Sequence, residues 1–456
     1  MANSDTRPIH FVGIAGAGMR ALAELLARRG VPVSGCDANP GAVDDLQALG
    51  IRVIKGHSPD HVEGVRELIV TSAMNRNHPE IVRAKELGIP VTRRAEALAK
   101  SVEHGKVIGV SGTHGKTTTT VMTTAALSAA GMKPTGIAGG RVGEWNGNLH
   151  YEGDDLFVVE ADEYDRSFLT LSPSIAVVTN IEADHLDIYR DLEDIRSSFA
   201  RFVHGAAAIV LCDDDPGARS LDVPPSAEVI RYGLVSADAR LVAREVRAER
   251  QQSHFRVEYD GDVLGLVSLR VPGNHNIQNA LGAIGVGLSL GLELEAMRPG
   301  LEQFAGVDRR FQRLCEVRGV TIVDDYAHHP TEITATLQAA RVSYPGRRIV
   351  AAFQPHLFSR TRDFAPEFGA ALAGADFVFL ADIYPAREQP IDGVTSDLIA
   401  AVLRKSGRGV AWQGNRSELA NALRDFVEDG DVVLTIGAGD ITKTGPELKN
   451  ALEAMT

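Results

Sequence analysis

The chain has 456 residues, of which 44% are hydrophobic and 23% are charged, and its formal net charge is -13. This length exceeds one ordinary hydrophobic core and predicts about three domains. The negative charge argues against a nucleic-acid partner, because affinity for nucleic acids comes mainly from cationic side chains that neutralise phosphates. It does not exclude single nucleotides, which bind local backbone donors.

The cysteines and the hydropathy pattern indicate the compartment. Cys36, Cys212 and Cys315 are far apart and lack paired spacing, so neither a disulfide framework nor a zinc motif is predicted. The N-terminus lacks a signal-peptide pattern, and the apolar stretch at residues 280–292 is too short to span a bilayer. We therefore expect a cytoplasmic protein without membrane insertion.

Strand-like and helical patterns alternate along the chain, which predicts an α/β fold with mainly parallel sheets. In the first segment a strand starts at Ile9, a helix covers Arg20–Arg29, and a second strand ends at Asp37. The glycine-rich run Gly13-Ile-Ala-Gly-Ala-Gly joins the first strand to the helix. This is a βαβ start, and the polar stretch at residues 101–106 is predicted to be a linker.

The second segment opens with a phosphate-binding pattern. Gly109, Gly115, Lys116 and Thr117 occupy the fixed positions of G-x-x-x-x-G-K-[ST], between a strand and a Thr/Ala-rich helix. In such a loop backbone N–H groups and the helix N-terminus face phosphate oxygens. The lysine meets the β- and γ-phosphates, and the threonine hydroxyl ligates Mg²⁺. The spacing therefore predicts an ATP site at this loop.

Two later strands end in polar residues at the same predicted edge of the sheet. Strand Leu156–Val159 leads to Glu160, and strand Ile175–Thr179 leads to His185. Because ligands bind at the carboxyl ends of parallel strands, Glu160 and His185 are predicted to join Thr117 as metal ligands. Two Mg²⁺ ions would suit a carboxylate attacking a triphosphate, since like charges about 4 Å apart repel by roughly 4 kcal/mol at an effective dielectric near 20.

The remaining chain continues the α/β pattern. Alternation typical of strands covers about residues 240–271 and indicates an antiparallel edge of the sheet or an excursion from it. A helical pattern follows over about residues 276–290. A third segment starts near Asp308 and has its own predicted strands, which are Thr321–Val323, Ile349–Phe353, Phe377–Leu380 and Val432–Thr435.

Several runs together resemble the Mur ligase family. They are Gly112-Thr-His-Gly-Lys-Thr-Thr-Thr, Glu160-Ala-Asp-Glu, Thr179-Asn-Ile-Glu-Ala-Asp-His-Leu-Asp and Gly273-Asn-His-Asn-Ile-Gln-Asn-Ala. Further runs are similar to the branch of the family that adds L-alanine: His10-Phe-Val-Gly-Ile-Ala-Gly-Ala-Gly-Met, Arg309-Arg-Phe-Gln, Asp324-Asp-Tyr-Ala-His-His-Pro-Thr-Glu and Phe353-Gln-Pro-His-Leu-Phe-Ser-Arg. The resemblance spans essentially the whole chain, in order, and its motifs are specific as a set.

The resemblance implies three α/β domains. A Rossmann-like domain for the UDP-sugar is expected at residues 1–103, a central P-loop ATPase-like domain at 104–307, and a Rossmann-like C-terminal domain for the amino acid at 308–456. It also implies an ATP-dependent ligase of peptidoglycan precursor synthesis. ATP would phosphorylate the lactyl carboxylate of UDP-N-acetylmuramate, and L-alanine would then displace phosphate. The expected cofactors are ATP and two Mg²⁺ ions, and the expected state is a monomer or a weak homodimer.

The resemblance also assigns roles to residues. The expected UDP-sugar contacts are Gly13, Ala15, Gly16, Ala17, Gly18, Met19, Asp37, Ser72 and His114. The expected ATP contacts are Gly112, Thr113, His114, Gly115, Lys116, Thr117, Thr118, His275, Asn276, Asn279, Arg310 and Asp325. The amino-acid site is expected at Tyr326, His328 and Arg360, and the catalytic residues at Lys116, Glu160, His185 and Arg360. Leu357 stands where the family commonly has an arginine, so Arg360 is expected to bind the alanine carboxylate.

Three alternatives stay open at this point. Within the family, a recycling ligase that attaches a tripeptide to the same UDP-sugar shares the run Glu160–Asp165, although Phe353–Arg362 favours the alanine enzyme. An NAD-dependent oxidoreductase is suggested by the loop Gly13–Gly18 and by Asp37, but it leaves the P-loop unexplained. A P-loop switch ATPase would bind partners without forming a bond.

Overall fold

The protein is described by a computed structural model that covers residues 5–41, 43–71, 74–249 and 251–455. It contains three sheets with intervening helices, so the predicted α/β class is confirmed. The chain divides into two compact units. The first comprises Met1–Arg244, Arg256–Val267 and Gln278–Gln303, and the second comprises Glu245–Phe255, Ser268–Ile277 and Phe304–Thr456.

The first sheet has parallel strands, which are β1 (Ile9–Val12), β2 (Val33–Asp37), β3 (Arg52–Lys55), β4 (Glu67–Val70) and β5 (Val91–Arg93). Their order is β3-β2-β1-β4-β5, as in a Rossmann-type half-sheet. The accompanying helices are α1 (Ala17–Arg28), α2 (Asp44–Ala48), a 3₁₀ helix at Pro59–Val62, α3 (Pro79–Glu86) and α4 (Arg94–Val102).

Helix α1 begins a turn earlier than its apolar pattern predicts. Gly16 is extended at φ -65° and ψ 140° and precedes the helix, so Ala17 becomes its first residue. The predicted linker is also shorter, because α4 continues through Val102. Arg29 donates to Asp154 Oδ1 at 2.8 Å and to Ser101 O at 2.6 Å, and so connects the end of α1 with α4 and with the residues just before Leu156.

The second sheet contains β6 (Lys106–Ser111), β7 (Thr135–Val142), β8 (Gly147–Tyr151), β9 (Leu156–Glu160), β10 (Ile175–Val178), β11 (Ala208–Cys212), β12 (Glu228–Gly233), β13 (Leu241–Glu249), β14 (Gln252–Tyr259) and β15 (Asp262–Leu269). Their order is β15-β14-β13-β12-β11-β10-β6-β9-β7-β8. The helices that accompany it are α5 (Lys116–Ala129), α6 (Leu192–Val203), α7 (Pro216–Arg219), α8 (Asn274–Ser289) and α9 (Leu294–Gln303), with 3₁₀ helices at Gly143–Trp145 and Tyr164–Thr170.

The position of β6 determines where a ligand can bind. Its neighbours β9 and β10 both run parallel to it, so the carboxyl ends of the three strands lie side by side. Strands β6, β9 and β10 are almost wholly buried, which explains their continuous apolar sequences. The polar residues that follow each strand therefore gather at one edge of the sheet.

The third sheet contains β16 (Gln312–Val317), β17 (Val320–Asp325), β18 (Ile349–Phe353), β19 (Phe377–Ala381), β20 (Val410–Gly414) and β21 (Val432–Ile436). It has the order β16-β17-β21-β18-β19-β20, and only its edge strand β16 is antiparallel among these described strands. Its helices are α10 (Pro330–Ser343), α11 (Phe358–Leu372), α12 (Asp397–Lys405), α13 (Arg416–Arg424) and α14 (Thr444–Glu453), with a 3₁₀ helix at Asp440–Lys443. Across the described part of the chain, no helix combines the length and the apolar character that crossing a membrane requires.

Candidate functional site

The loop between β6 and α5 has the backbone of a phosphate cradle. Gly112 has φ 143° and Gly115 has φ 80°, values that glycine adopts without steric penalty. A Cβ on Gly112 would lie 1.9 Å from Thr179 Oγ1, so a larger residue does not fit there. Gly115 precedes α5, whose first residues are Lys116 and Thr117. The positive end of the helix therefore faces the loop.

The loop is braced by the residues that follow β10. His114 N donates to Asn180 Oδ1 at 2.7 Å, and Asn180 Nδ2 donates back to His114 O at 3.1 Å. Thr113 N donates to Asn180 O at 3.1 Å, and Thr179 Oγ1 donates to His114 O at 2.5 Å. These bonds hold the backbone donors of the predicted ATP site in a fixed arrangement, which is what preorganised stabilisation of phosphate charge requires.

Lys116 lies over its own loop. Its Nζ donates to Gly112 O at 2.7 Å and to Thr113 O at 3.1 Å, and it pairs with Glu163 at 2.8 Å. Burial disfavours the charged form of Lys116, but the neighbouring carboxylates, led by Glu163, raise its pKa overall. Burial raises the pKa of Glu163 to about 7, although Lys116 opposes the rise. The loop thus holds a cation where a phosphate could replace Glu163 as its partner.

Thr117 and Glu160 lie together at the same loop. Thr117 Oγ1 donates to Glu160 Oε1 at 3.0 Å, and Gly139 N donates to Glu160 Oε2 at 2.5 Å. Burial raises the pKa of the Glu160 carboxyl. A hydroxyl beside a carboxylate is an oxygen ligand set that suits Mg²⁺. The structure therefore brings together Thr117 and Glu160, two of the three predicted metal ligands. Thr118, a predicted ATP contact, is the next residue of α5 and is buried.

His185 lies in a neighbouring acidic group. Its Nε2 atom is 3.8 Å from Glu163 Oε1 and 3.8 Å from Asp184 Oδ2. Asp162, Glu163 and His185 each offer one potential ligand atom, and these atoms lie within 4.8 Å of one another. Glu163 belongs to this group and also pairs with Lys116, so it connects the predicted ligand His185 to the P-loop.

The three residues predicted to read adenine lie on the first turns of α8. Asn279 Oδ1 accepts from Thr119 Oγ1 at 3.1 Å, on the helix that starts at the P-loop. Asn276 Nδ2 donates to Pro272 O at 2.7 Å. His275 and Asn276 belong to the second compact unit and Asn279 to the first. Burial, with Arg310 adding to it, lowers the pKa of His275 to about 4, so its imidazole is neutral at pH 7.

The glycine-rich loop after β1 is held by the end of β2. Asp37 Oδ2 accepts from Ala15 N at 3.1 Å, and its Oδ1 accepts from Asn39 N at 2.9 Å. Gly13 has φ 81°, and its carbonyl accepts from Gly16 N at 3.2 Å. The hydrogen bond from Ala15 N to Asp37 thus holds the loop that is expected to contact the UDP-sugar.

Helix α1 leaves this loop beside a cation that the sequence did not single out. A Cβ on Gly18 would lie 2.9 Å from Nη1 of Arg94, so the guanidinium packs directly over Gly18. Ala17 is the first helical residue, and Met19 is buried. The predicted contact Ser72 lies outside the described residues.

In the second unit, Asp325 ends β17 as a buried carboxylate. Its Oδ2 accepts from Phe311 N at 2.8 Å and its Oδ1 from Ala327 N at 2.7 Å. Burial raises the pKa of Asp325 to about 6, although Arg310 opposes the rise. Arg310 Nη1 lies 3.4 Å from Glu332 Oε1. Asp325 and Arg310, both predicted ATP contacts, therefore belong to one charged group.

Two of the residues predicted to bind the amino acid lie close to other aromatic rings. The rings of Tyr326 and His328 are 5.2 Å apart, and those of His328 and His356 are 6.2 Å apart. His356 in turn stacks on Tyr384 at 5.7 Å. Arg360 is buried in the first turn of α11, four residues after His356. Tyr326 and His328 therefore lie together.

Four residues at these sites were not among the predicted site residues: Arg94, Glu163, His356 and Tyr384. Glu163 and His356 fall within runs that carry the family resemblance, and the run Tyr384-Pro-Ala-Arg-Glu also agrees with the family, so the resemblance was the available signal. Arg94 carries no such signal, because only the fold brings the start of α4 against the loop after β1.

The chain matches known proteins along nearly its whole length. The models of the Mur ligase family catalytic domain, the Mur ligase middle domain and the Mur ligase glutamate ligase domain match residues 8–106, 110–287 and 309–439. The UDP-N-acetylmuramate–L-alanine ligase of Salinibacter ruber is 42% identical over 98% of this chain and 95% of that protein. The enzyme of the same name from Acidothermus cellulolyticus is 44% identical over 97% of this chain and 94% of that protein.

A solved structure agrees with these relatives. The crystal structure of UDP-N-acetylmuramate-alanine ligase from Thermotoga maritima is similar with a TM-score of 0.83 and 29% identity, and the match covers 98% of this chain and 100% of that chain. The three family models fall on the segments that form the three sheets, so the predicted three-domain α/β architecture is confirmed. On these findings, the chain belongs to the Mur ligase family.

Proposed function

We propose that this chain is an ATP-dependent ligase that joins L-alanine to the lactyl carboxylate of UDP-N-acetylmuramate, with release of ADP and phosphate. The observation that carries the proposal is the P-loop at the centre of the second sheet. In this loop two backbone carbonyls and Glu163 hold the Lys116 ammonium, and Thr117 Oγ1 lies 3.0 Å from Glu160 Oε1 of the adjacent strand. Relatives more than 40% identical over nearly the whole chain bear the name of this activity.

The proposed reaction has two steps. A carboxylate oxygen of the UDP-sugar attacks the γ-phosphorus of ATP, and the bond from that phosphorus to the ADP oxygen breaks. The amine of L-alanine then attacks the acyl carbon, loses a proton, and expels inorganic phosphate as the amide forms. Lys116 stabilises the charge that develops on the transferred phosphoryl group, because its ammonium is already fixed at the loop.

Thr117 and Glu160 would hold one Mg²⁺ ion at the phosphates. When bound, Mg²⁺ neutralises phosphate charge and so lowers the repulsion between the two anionic substrates. A second ion would take Asp162, Glu163 and His185, whose potential ligand atoms are already grouped. Glu163 would then bind this ion instead of pairing with Lys116.

The UDP-sugar would bind at the loop Gly13–Gly18, where Asp37 orders the backbone and Arg94 supplies a cation. A planar guanidinium can engage two phosphate oxygens at once, which suits a diphosphate. His114, on the P-loop, would approach the sugar end of the same substrate. Ser72 remains a predicted contact.

The adenine and ribose would be read by His275, Asn276, Asn279, Arg310 and Asp325. L-alanine would bind near Tyr326 and His328, with Arg360 as the partner of its carboxylate. Neutral His275 can act as donor and acceptor toward a base, because its pKa of about 4 keeps it uncharged at pH 7.

We further infer that the enzyme works in the cytoplasm, where ATP and nucleotide-activated sugars are made, as a monomer or a weak homodimer. Sedimentation velocity over a hundredfold range of protein concentration tests the oligomeric state. A stable higher oligomer at the lowest concentration would contradict it.

The activity is tested by phosphate release with UDP-N-acetylmuramate, ATP and Mg²⁺ and a panel of amines. We expect release with L-alanine and little release when either the sugar or the amine is omitted. Faster release with the tripeptide L-alanyl-γ-D-glutamyl-meso-diaminopimelate would instead assign the recycling reaction. Release that is independent of both acceptor substrates would indicate a P-loop ATPase and overturn the proposal.

A further inference from the structure

A group of potential metal ligands lies in the first sheet and is not part of the proposed ATP site. It contains His10 of β1, Cys36 of β2, His61 of the 3₁₀ helix at Pro59–Val62, and Glu80 of α3. Each offers one ligand atom, and all of these atoms lie within 4.8 Å of one another. The side chains of His10, Cys36 and Glu80 are 0% exposed. A buried group of a thiol, two imidazoles and a carboxylate requires an explanation.

The fold creates this group from residues that are far apart in sequence. His10 pairs with Ser34 in the parallel register of β1 and β2, and Cys36 is two residues further along β2, so the three side chains share a face of the sheet. The 3₁₀ helix and α3 supply His61 and Glu80 to that face. The spacing covers seventy residues, which explains why no zinc motif is visible in the sequence.

His10 has one ring nitrogen without a partner. Its Nδ1 lies 2.9 Å from Ser34 Oγ, whereas its buried Nε2 has no hydrogen-bond partner among the residues that the structure describes. Leaving a buried polar atom unsatisfied costs roughly 1–3 kcal/mol. A histidine that ligates a metal through one ring nitrogen usually forms a hydrogen bond through its other ring nitrogen.

The other members are already drawn together around Glu80. Its carboxylate accepts from Cys36 Sγ at 3.2 Å, and His61 Nδ1 lies 2.8 Å from Glu80 Oε1. Zinc bonds of about 2.0 Å to nitrogen and 2.3 Å to sulfur give a tetrahedron with edges of roughly 3.3–3.8 Å. The group therefore needs only small side-chain shifts to surround an ion.

We propose that His10, Cys36, His61 and Glu80 form a structural Zn²⁺ site. Thiolate and imidazole ligands select zinc over magnesium, which prefers oxygen ligands. Four protein ligands would leave no open coordination position, as in structural sites. His57, at the surface beside the group, has its Nδ1 atom 3.2 Å from Cys36 Sγ.

The site would act on the loop that precedes α1. The carbonyl of Cys36 accepts from Gly13 N at 2.7 Å and from Ile14 N at 3.0 Å. The next residue, Asp37, accepts from Ala15 N. A zinc ion bound to the Cys36 side chain would therefore stiffen the same loop that we propose for the UDP diphosphate.

The test uses the full chain, stripped of metal with a chelator and titrated with Zn²⁺ against a chromophoric competitor. Replacement of Zn²⁺ by Co²⁺ gives a spectrum that reports the ligands. We expect one tightly bound ion, a thiolate-to-cobalt charge-transfer band and the intense ligand-field bands of a tetrahedral site. Cys36→Ser should remove the charge-transfer band and weaken Zn²⁺ binding by more than ~100-fold, beyond the loss typical of an outer-shell change. Cys212→Ser, at another buried cysteine in β11, should leave both unchanged.

The wild-type spectrum decides the matter even if Cys36→Ser fails to fold. A cobalt-loaded wild type without a thiolate band would overturn the site and leave a hydrogen-bonded polar cluster only. Unchanged Zn²⁺ affinity in a folded Cys36→Ser variant would do the same. Ser34→Ala keeps all four ligands and removes the hydrogen bond to His10, so it should weaken Zn²⁺ binding by ~10–100-fold. Since none of these readouts requires turnover, they are independent of the proposed ligase activity.

Discussion

Lys116 is positioned before a nucleotide binds, because two loop carbonyls and Glu163 hold its ammonium. Loss of one preorganised group of this kind lowers kcat by ~10²–10³. We expect Lys116→Ala to show that loss in the phosphate-release assay, with an unchanged circular dichroism spectrum. Lys106→Ala removes an exposed lysine at the start of β6 and should keep the wild-type kcat. A kcat within a few-fold of wild type for Lys116→Ala would remove the P-loop from the reaction.

Arg360 is the proposed partner of the alanine carboxylate. Its fork of donors can bind both carboxylate oxygens, which the single ammonium of lysine does not reproduce. We expect Arg360→Lys to raise the KM for L-alanine more than ~tenfold, in line with the 1.5–3 kcal/mol typical of a hydrogen bond to a charged group. The KM for UDP-N-acetylmuramate should stay the same.

The matched control for that change is Arg362→Lys, because Arg362 is exposed and pairs with the adjacent Asp363. Its kinetic constants should equal those of wild type when each substrate is varied in turn. An unaltered alanine KM in Arg360→Lys would show that the amino acid binds elsewhere.

Asp325 gives a prediction about pH. Its pKa is about 6 in the folded protein and ordinarily 3.8, so between pH 4 and 6 the folded state binds more protons than the unfolded state. Stability from this group is therefore present at low pH and falls as pH rises through that window. Relative to Asp325→Asn, wild type should lose on the order of 1–3 kcal/mol between pH 4 and 6 and little above it. Urea unfolding at each pH measures the difference, and a constant difference would contradict the burial effect.

Single residues show where sequence patterns suffice and where they do not. Lys116, Thr117 and Glu160 were predictable, because a fixed spacing and a strand end determine their places. Glu163 was not, since the turn that places it against Lys116 includes Asp165 and Arg166 in the left-handed region at φ 53° and 54°. Leu357 stands at the position where the family commonly has an arginine. It is buried, has φ 71° and precedes α11, and the sequence periodicity indicates neither its burial nor its backbone conformation.

At the scale of elements, the P-loop depends on the close contact between Gly112 and the end of β10. Alanine at this position would combine a strained φ of 143° with a Cβ only 1.9 Å from Thr179 Oγ1. We expect Gly112→Ala to lower the free energy of unfolding by ~1–3 kcal/mol and to raise the Kd for ATP, measured by calorimetric titration. Gly205→Ala, where no atom lies within 4 Å of the added Cβ, should change neither. Wild-type ATP affinity in Gly112→Ala would show that the loop adapts freely.

The bounds of individual strands were predicted more accurately than the pairing between strands in the sheets. The pattern gave Ile349–Phe353 as it occurs in β18 and gave Leu156–Val159, which β9 extends to Glu160. The apolar runs fix these strands locally, because both faces are buried. Pairing is a long-range property, so the alternation after Arg240 left open whether this region is an edge of the sheet or an excursion. In the structure β13, β14 and β15 extend the edge of the central sheet. For the same reason the pattern gave no sign that β1, β2, the 3₁₀ helix at Pro59–Val62 and α3 bring the side chains of His10, Cys36, His61 and Glu80 together.

At the scale of the whole molecule, the sequence predicts three domains, and the structure has three sheets in two compact units. Length and repeated α/β patterns indicate how many sheets the chain can form. They do not indicate how many of the sheets share a core, because that depends on side chains from separate segments. Core residues of the first segment, such as Phe11 of β1 and Leu25 of α1, belong to one buried cluster with Phe157 and Phe199 of the second segment.

The two units lead to a prediction about unfolding. The described residues that we propose for UDP-N-acetylmuramate all lie in the first unit, and those for L-alanine lie in the second. Units with separate cores need not unfold in one two-state transition, and a ligand stabilises the unit that binds it by about 2.7 kcal/mol at 100 times its Kd. We expect scanning calorimetry to resolve two transitions, of which UDP-N-acetylmuramate raises one. Gly112→Ala should lower the Tm of that same transition, which assigns it to the first unit. A single transition that shifts as a whole with the sugar nucleotide would show that the units unfold together.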